Sequence, residues 1–416
     1  MTDPNLPGAL APYRVVELPG CRTMLAGKML ADLGADVIKV EPPRGDPARF
    51  LEPFFTDPAG REESLMWRAY NRGKRGVTLD LTRDAGRAAL RKLVAGADFL
   101  FEGFHPGTLA RLGLDWEHLR QVNPRLVMAS VTPFGTTGPY SDYRGPDIVP
   151  LALGGYMYVC GDKARAPVRV TLPQAFHHAA GAAAMGALLA HRQRQRTGRG
   201  QHVDAAAQHT YLTVAIQPYV FWDFEEFTLR REGAFRDRAF AAPLRVVYPC
   251  SDGHAVWMPM AGPVGGKSIH AVLERMKAEG FGSDHMHGLD WYTDVFPAMS
   301  REQLLETIDG FCTYFATKTK AELFQLALET SLTLAPVYTV RDIVEDVQMA
   351  ERRYFESPPG EVPGLRYPGP FVHLSATPLR PGALAPTLGQ HNGEVLAGEL
   401  GLSAAELSQA NGESAA

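Results

Sequence analysis

Short β-branched runs alternate with helical patterns through the first 130 residues, and this rhythm limits the fold more than any other feature. Residues 13–18 read as a strand, and residues 37–40 as the next one. Between them residues 23–33 read as a helix whose apolar positions are Met24, Leu25, Met29, Leu30 and Leu33. Residues 85–95 repeat the helical pattern, while 99–101 and 125–130 are extended. Parallel strands need long crossovers, which are usually helices, so the alternation predicts an α/β fold with a parallel sheet covered on both faces. A nucleotide-type ligand is then expected at the carboxyl ends of the strands. The turn after the first strand, Leu18-Pro19-Gly20-Cys21-Arg22, carries no GxGxxG fingerprint. Residues 262–268 end like a phosphate loop, but Ala261 stands where such a loop has its first glycine, so no phosphate site is assigned there.

With 416 residues and 45% apolar content the chain can bury a large core, and its length suits two domains or one domain with an insertion. A net charge of −4 and the lack of a Lys/Arg stripe exclude a nucleic-acid partner. The most basic stretch, residues 192–199, follows a helical run and reads as a solvated helix end. Cys21, Cys160, Cys250 and Cys312 lie far apart with no CxxC or Cys/His ligand spacing, which speaks against a disulfide framework and a metal site and fits a reducing compartment. The opening residues lack the basic and apolar regions of a signal peptide, and no apolar run approaches about 20 residues. A cytoplasmic protein without a membrane partner is expected.

Residues 179–190 form a helix of small side chains, suited to close packing in the core. From 214 to 238 the pattern loosens into aromatic and charged residues that suggest a linker. A hairpin over 246–258, turning at Asp252-Gly253, opens a second and smaller unit with helices at 301–316 and 320–328. After residue 350 the chain is rich in Pro and Gly and reads as an extended connector. The expected division is a large domain over 1–213, a linker over 214–243, a small α+β domain over 244–335, and a connector over 336–416 that returns to the first domain.

Five segments, in order, carry a resemblance. LADLGADVIKVEPP at 30–43 is followed by Gly45-Asp46-Pro47, and NRGKR at 71–75 by LDL at 79–81. FHPG at 104–107 is followed by RLGL at 111–114 and NPRL at 123–126. TGRGQ at 197–201 with Val203-Asp204, and APTLGQHN at 385–392, complete the set. Together they resemble the family III CoA-transferases, the superfamily of formyl-CoA transferase, carnitine CoA-transferase and α-methylacyl-CoA racemase. The resemblance implies an interlocked dimer, each chain having a Rossmann-like large domain built from both termini and a small domain in the middle. It also implies CoA or an acyl-CoA as substrate, bound mainly by the large domain, with no covalently bound cofactor. Lys39, Lys74, Arg75 and His105 fall in matching segments as candidate CoA contacts, and cationic donors suit phosphates.

The chain departs from this family where its chemistry lies. In the transferases an aspartate attacks the donor thioester to give a mixed anhydride. CoA thiolate then forms an aspartyl-CoA thioester, and the acceptor carboxylate finally takes the CoA. Here residues 163–203 contain no Asp or Glu, and counting back from Thr197 without a gap puts Phe176 at the aspartate position. Gln174, His177 and His178 flank it, and none of them can form the anhydride. Asp147 and Asp162 are the nearby carboxylates, both ahead of the helix. The racemase branch fits no better, because Pro146 stands where its histidine is expected. The glycine run that covers the intermediate in formyl-CoA transferase has no counterpart before Tyr248, and Gly103 replaces the asparagine frequent in the third segment. These departures imply a non-catalytic subunit of a CoA-transferase acting on a dicarboxylate with succinyl-CoA as donor. Its partner is then a homologous chain that supplies the aspartate, in a heterodimer or heterotetramer. Two alternatives stay open: a homodimer using His177 or His178 for altered acyl-CoA chemistry, and a protein that binds CoA esters without turnover.

Overall fold

The computed structural model describes residues 7–57, 60, 62–214, 217–236, 241–379 and 382–412. It divides into two compact units. The first comprises Met1–Tyr156, Arg169–Glu225 and Gln348–Ala416, and the second Met157–Val168 and Glu226–Val347.

The first unit is built on six parallel strands, β1 (Arg14–Glu17), β2 (Asp36–Glu41), β3 (Arg75–Thr78), β4 (Phe99–Glu102), β5 (Val127–Thr132) and β6 (Gln201–Ala206). Their order across the sheet is β3-β2-β1-β4-β5-β6. Crossovers include helices α1 (Met24–Asp32), α2 (Leu65–Asn71), α3 (Asp84–Ala95) and the 23-residue α4 (Ala175–Thr197). Helices cover both faces, so the strands are buried on both sides, mostly by apolar residues, with Glu17, Lys39 and Glu41 as enclosed charges. Val16, Ile38, Val40, Val77 and Leu100 join Leu90, Leu93 and Val94 of α3 in one buried cluster. The small residues of α4 permit close contact with the sheet: a Cβ on Gly186 would come within 2.8 Å of a Val203 methyl group.

The carboxyl-terminal segment covers the open edge of the sheet beyond β3. His391 Nδ1 accepts from the Gly76 amide at 3.0 Å, Asn392 Oδ1 accepts from the Thr78 amide at 2.8 Å, and the His391 amide donates to Gly76 O at 2.9 Å. An edge strand presents unpaired backbone groups, and APTLGQHN satisfies them. The large unit is thus assembled from both ends of the chain.

The second unit has a three-stranded antiparallel sheet, β7 (Val247–Cys250), β8 (Gly253–Trp257) and β9 (Leu334–Pro336), in that order. Helices α5 (Gly262–Ala278), α6 (Arg301–Ala316) and α7 (Lys320–Thr330) enclose a core that includes Tyr248, Trp257, Trp291, Phe311 and Phe315. Capping boxes at Ser300/Gln303 and Thr319/Glu322 start α6 and α7. The glycines of 262–268 lie in the first turns of α5 and serve packing. A Cβ would fall 1.7 Å from Met260 O at Gly265 and 2.2 Å from Trp291 O at Gly266.

The stretch expected to be a loose linker contains a helix, Gln217–Glu225, in the first unit. Pro218 in its first turn is a helix-start signal, since its missing N–H is one that a helix leaves unpaired anyway. Residues 215–216 and 237–240 of that stretch lie outside the described residues. Among the described residues no helix is long and apolar enough to cross a membrane.

Candidate functional site

The strand order reverses direction between β1 and β4, and open α/β sheets bind ligands outside the carboxyl ends of the strands at such a point. Two turns meet there, residues 18–22 leaving β1 and residues 103–107 leaving β4. Arg22 joins them: its Nη1 donates to Gly103 O at 3.0 Å, and its guanidinium carbon lies 4.7 Å from the centre of the Phe176 ring. Burial pulls the pKa of Arg22 down, opposed by Cys21 and Glu102, and the side chain remains partly exposed.

Phe176 occupies the second helical position of α4 and is buried, with 8% of its surface exposed. The residue before the helix, Gln174, gives no side-chain cap. Asp147 supplies one from 27 residues upstream: its Oδ2 accepts from the Gln174 amide and its Oδ1 from the Phe176 amide, each at 2.9 Å. First-turn amides have no partner inside a helix and carry its positive dipole end, so a carboxylate stabilises them. Both oxygens of Asp147 are thereby engaged in holding α4. Asp162 accepts from the amide of Ala164, two residues on.

Two histidines follow Phe176 in the first turn of α4. His177 stacks on Tyr70 with ring centres 5.2 Å apart, and His178 meets Tyr211 edge-on at 5.3 Å. Burial lowers the pKa of His177, with the Pro173 carbonyl and Asp147 opposing and His178 adding, so its imidazole is neutral near pH 7. Glu102 closes β4 and is 6% exposed. Burial raises its pKa against the opposing influence of Ser130, the Phe104 amide and Arg22. Ser130 Oγ also lies 2.8 Å from His202 Nε2, which continues the polar line from Glu102 across β5 to β6.

The four candidate CoA contacts do not converge. Lys39 and Lys74 are enclosed on the α1 face of the sheet and share Glu17. Lys39 Nζ is 3.1 Å from Glu17 Oε1 and 3.1 Å from Asp46 Oδ2, while Lys74 Nζ is 2.6 Å from Glu17 Oε2, 2.9 Å from Asn71 Oδ1 and 3.0 Å from Met24 O. All four charged side chains are buried, with Glu17, Lys39 and Asp46 at 0% exposure. Burial opposes the charge on Glu17, but Lys39 and Lys74 together outweigh it and keep its pKa below the usual carboxylate value. Burial dominates at Lys74 and pushes its pKa down to about 8 despite Glu17. Gly27 of α1 makes room for the group, since a Cβ there would fall 1.9 Å from Glu17 Oε2. Arg75 opens β3 and turns back to the amino end of β2, where it grips both oxygens of Asp36 at 2.8 and 2.6 Å and also pairs with Glu394 and Glu399. His105 alone of the four follows a strand's carboxyl end. Its ring nitrogens lie 2.9 Å from Pro106 O and 3.0 Å from Asp142 O.

The sequence model of CoA-transferase family III matches residues 10–392. The chain belongs to CoA-transferase family III. Among its relatives is succinyl-CoA:(R)-benzylsuccinate CoA-transferase subunit BbsE of Thauera aromatica, 35% identical over 387 residues, covering 92% of each chain. The beta subunit of succinyl-CoA–L-malate CoA-transferase of Chloroflexus aurantiacus is 32% identical over 93% of this chain and 92% of its own. A CAIB/BAIF family protein of Brucella suis has the same fold, with a TM-score of 0.80 and 28% identity over 95% of this chain and 100% of its own. CoA esters are the substrates of a family III CoA-transferase.

Sequence reasoning found the start of α4 through the motif downstream of it, and named Asp147 only as a nearby carboxylate. It missed Arg22 altogether, since a lone arginine in a turn carries no pattern. The one signal available was Gly103, a glycine where a side chain is frequent, facing the space that Arg22 fills.

Proposed function

We propose that this family III chain is the non-nucleophilic subunit of a two-chain CoA-transferase that moves CoA from succinyl-CoA to a dicarboxylic acid, with benzylsuccinate as the first acceptor to test. The partner is a homologous chain that carries the aspartate, and the pair works in the cytoplasm as an interlocked dimer of unlike chains or a dimer of such dimers. The observation that carries this reading is the start of α4. Phe176 stands there under Arg22, and the nearby carboxylate, Asp147, has both oxygens engaged by backbone amides. A nucleophilic carboxylate must offer a free oxygen to the thioester carbon. The names of the relatives support the same reading, since two of them are subunits of transferases that use succinyl-CoA. CoA is expected to approach along His105, the candidate CoA contact that follows the carboxyl end of β4.

The test is turnover by the purified chain with succinyl-CoA and benzylsuccinate, alone and after coexpression with a family member that has the aspartate. No transfer alone and transfer by the pair is the expected result; full transfer by the isolated chain refutes the proposal. One observation favours a second reading. His177 is partly exposed at the same helix start, and burial favours its neutral imidazole, as a proton-abstracting base requires. Exchange of the α-hydrogens of an acyl-CoA into heavy water by the isolated chain, lost in His177→Ala, would establish that reading instead.

A further inference from the structure

Two departures from the family pattern meet through one arginine. Gly103 stands where asparagine is frequent, Phe176 where the aspartate is expected, and Arg22 lies between them. Gly103 adopts no left-handed conformation, so backbone freedom does not explain it. Space does: a Cβ at position 103 would sit 2.9 Å from Arg22 Cβ, 3.4 Å from Cδ and 3.6 Å from Cγ. The first of these is closer than real Cβ contacts, and it involves the root of the arginine side chain, which cannot swing aside as a chain end can. The same arginine donates to Gly103 O and lies against the Phe176 ring. Cations stack favourably on aromatic faces, the more so when partly desolvated.

We propose that Gly103, Arg22 and Phe176 form one interlocked closure across the switch point. Arg22 is its positioning residue, bound to one turn and seated on the start of α4. The inference rests on the reading of this chain as non-nucleophilic and says how that state is built: three matched positions rather than one lost aspartate. A carboxylate restored at position 176 would meet the Arg22 guanidinium, which stabilises it as an anion and blunts its attack on a thioester.

A double-mutant cycle on the full chain tests the packing half. Gly103→Ala is expected to lower the melting temperature by several degrees, and by less than a third as much in an Arg22→Gly background, because the obstructing Cβ is gone. Should Gly103→Ala fail to fold, folding of Gly103→Ala/Arg22→Gly shows the same coupling, and failure of both overturns the proposal. Equal losses in the two backgrounds also overturn it. The chemical half uses succinyl-CoA as probe and intact mass as readout. Phe176→Asp is expected to form at least tenfold less covalent adduct than Phe176→Asp/Arg22→Ala, and equal adduct in the two refutes the closure. Adduct on the unmodified chain would instead refute the non-nucleophilic reading, so the two failures are separable.

Discussion

Lys74→Ala separates a phosphate contact from a buried structural ion. Lys74 Nζ has three acceptors, the Glu17 carboxylate, Asn71 Oδ1 and Met24 O, and no exposed surface through which a phosphate would reach it. Truncation leaves Glu17 Oε2 without its cation in a site where Lys39 reaches only the other oxygen. Breaking a buried ion pair by removing one partner costs about 3–5 kcal/mol, whereas an exposed pair contributes about 0–1 kcal/mol. At about 2–4 °C per kcal/mol for a large domain, the melting temperature should fall by roughly 10 °C. Lys92, half exposed and 3.9 Å from Glu406, is the control, and Lys92→Ala should shift it by no more than about 2 °C. Thermal unfolding followed by fluorescence, beside calorimetry with CoA on the folded fraction, reads both effects. A melting temperature within about 2 °C of the parent, with CoA affinity down tenfold, would refute the structural assignment and return Lys74 to the phosphate site.

Arg75→Ala should loosen the carboxyl-terminal segment rather than CoA binding, because Arg75 ties Asp36 to Glu394 and Glu399. The expected loss is about 1 kcal/mol after allowance for solvent screening, read as faster amide exchange over residues 392–399 with CoA affinity unchanged. Glu17 and Asp46 should contribute to acid unfolding, since both pKa values lie below the ordinary 4.5 and 3.8. At Asp46, burial is outweighed by Lys39 and by the Ala48 and Gly20 amides. The unfolded chain then binds more protons than the folded one, so their stabilisation is complete above about pH 5 and is lost as pH falls through the depressed values. An unfolding free energy flat between pH 5 and 3 would contradict this.

The parallel sheet was legible because its strands are short apolar runs separated by amphipathic helices, a pattern that local sequence records. Observed bounds such as Asp84–Ala95 and Arg301–Ala316 differ from the expected ones by a residue or less. The helix Gln217–Glu225 was not legible, because its aromatic and acidic residues give no apolar face and only Pro218 marks its start. At the site, motif position located Phe176, but the meaning of the surrounding charges depended on contacts between distant segments. Lys39 and Lys74 look like exposed phosphate ligands in family-like segments, yet Glu17, 22 and 57 residues away, claims both of them. Asp147 and Arg22 both reach the start of α4 from far upstream in the sequence, and no periodicity announces either.

The central claim is that nucleophilic attack occurs on a partner and not on this chain. Its most direct test is the intact mass of each chain after a complex with an aspartate-bearing family member is exposed to succinyl-CoA and quenched. Adduct confined to the partner, sensitive to hydroxylamine and absent from this chain both in the complex and alone, is the predicted result. A hydroxylamine-sensitive adduct on this chain, mapped by proteolysis to residues 169–197 or to Asp147, would contradict it.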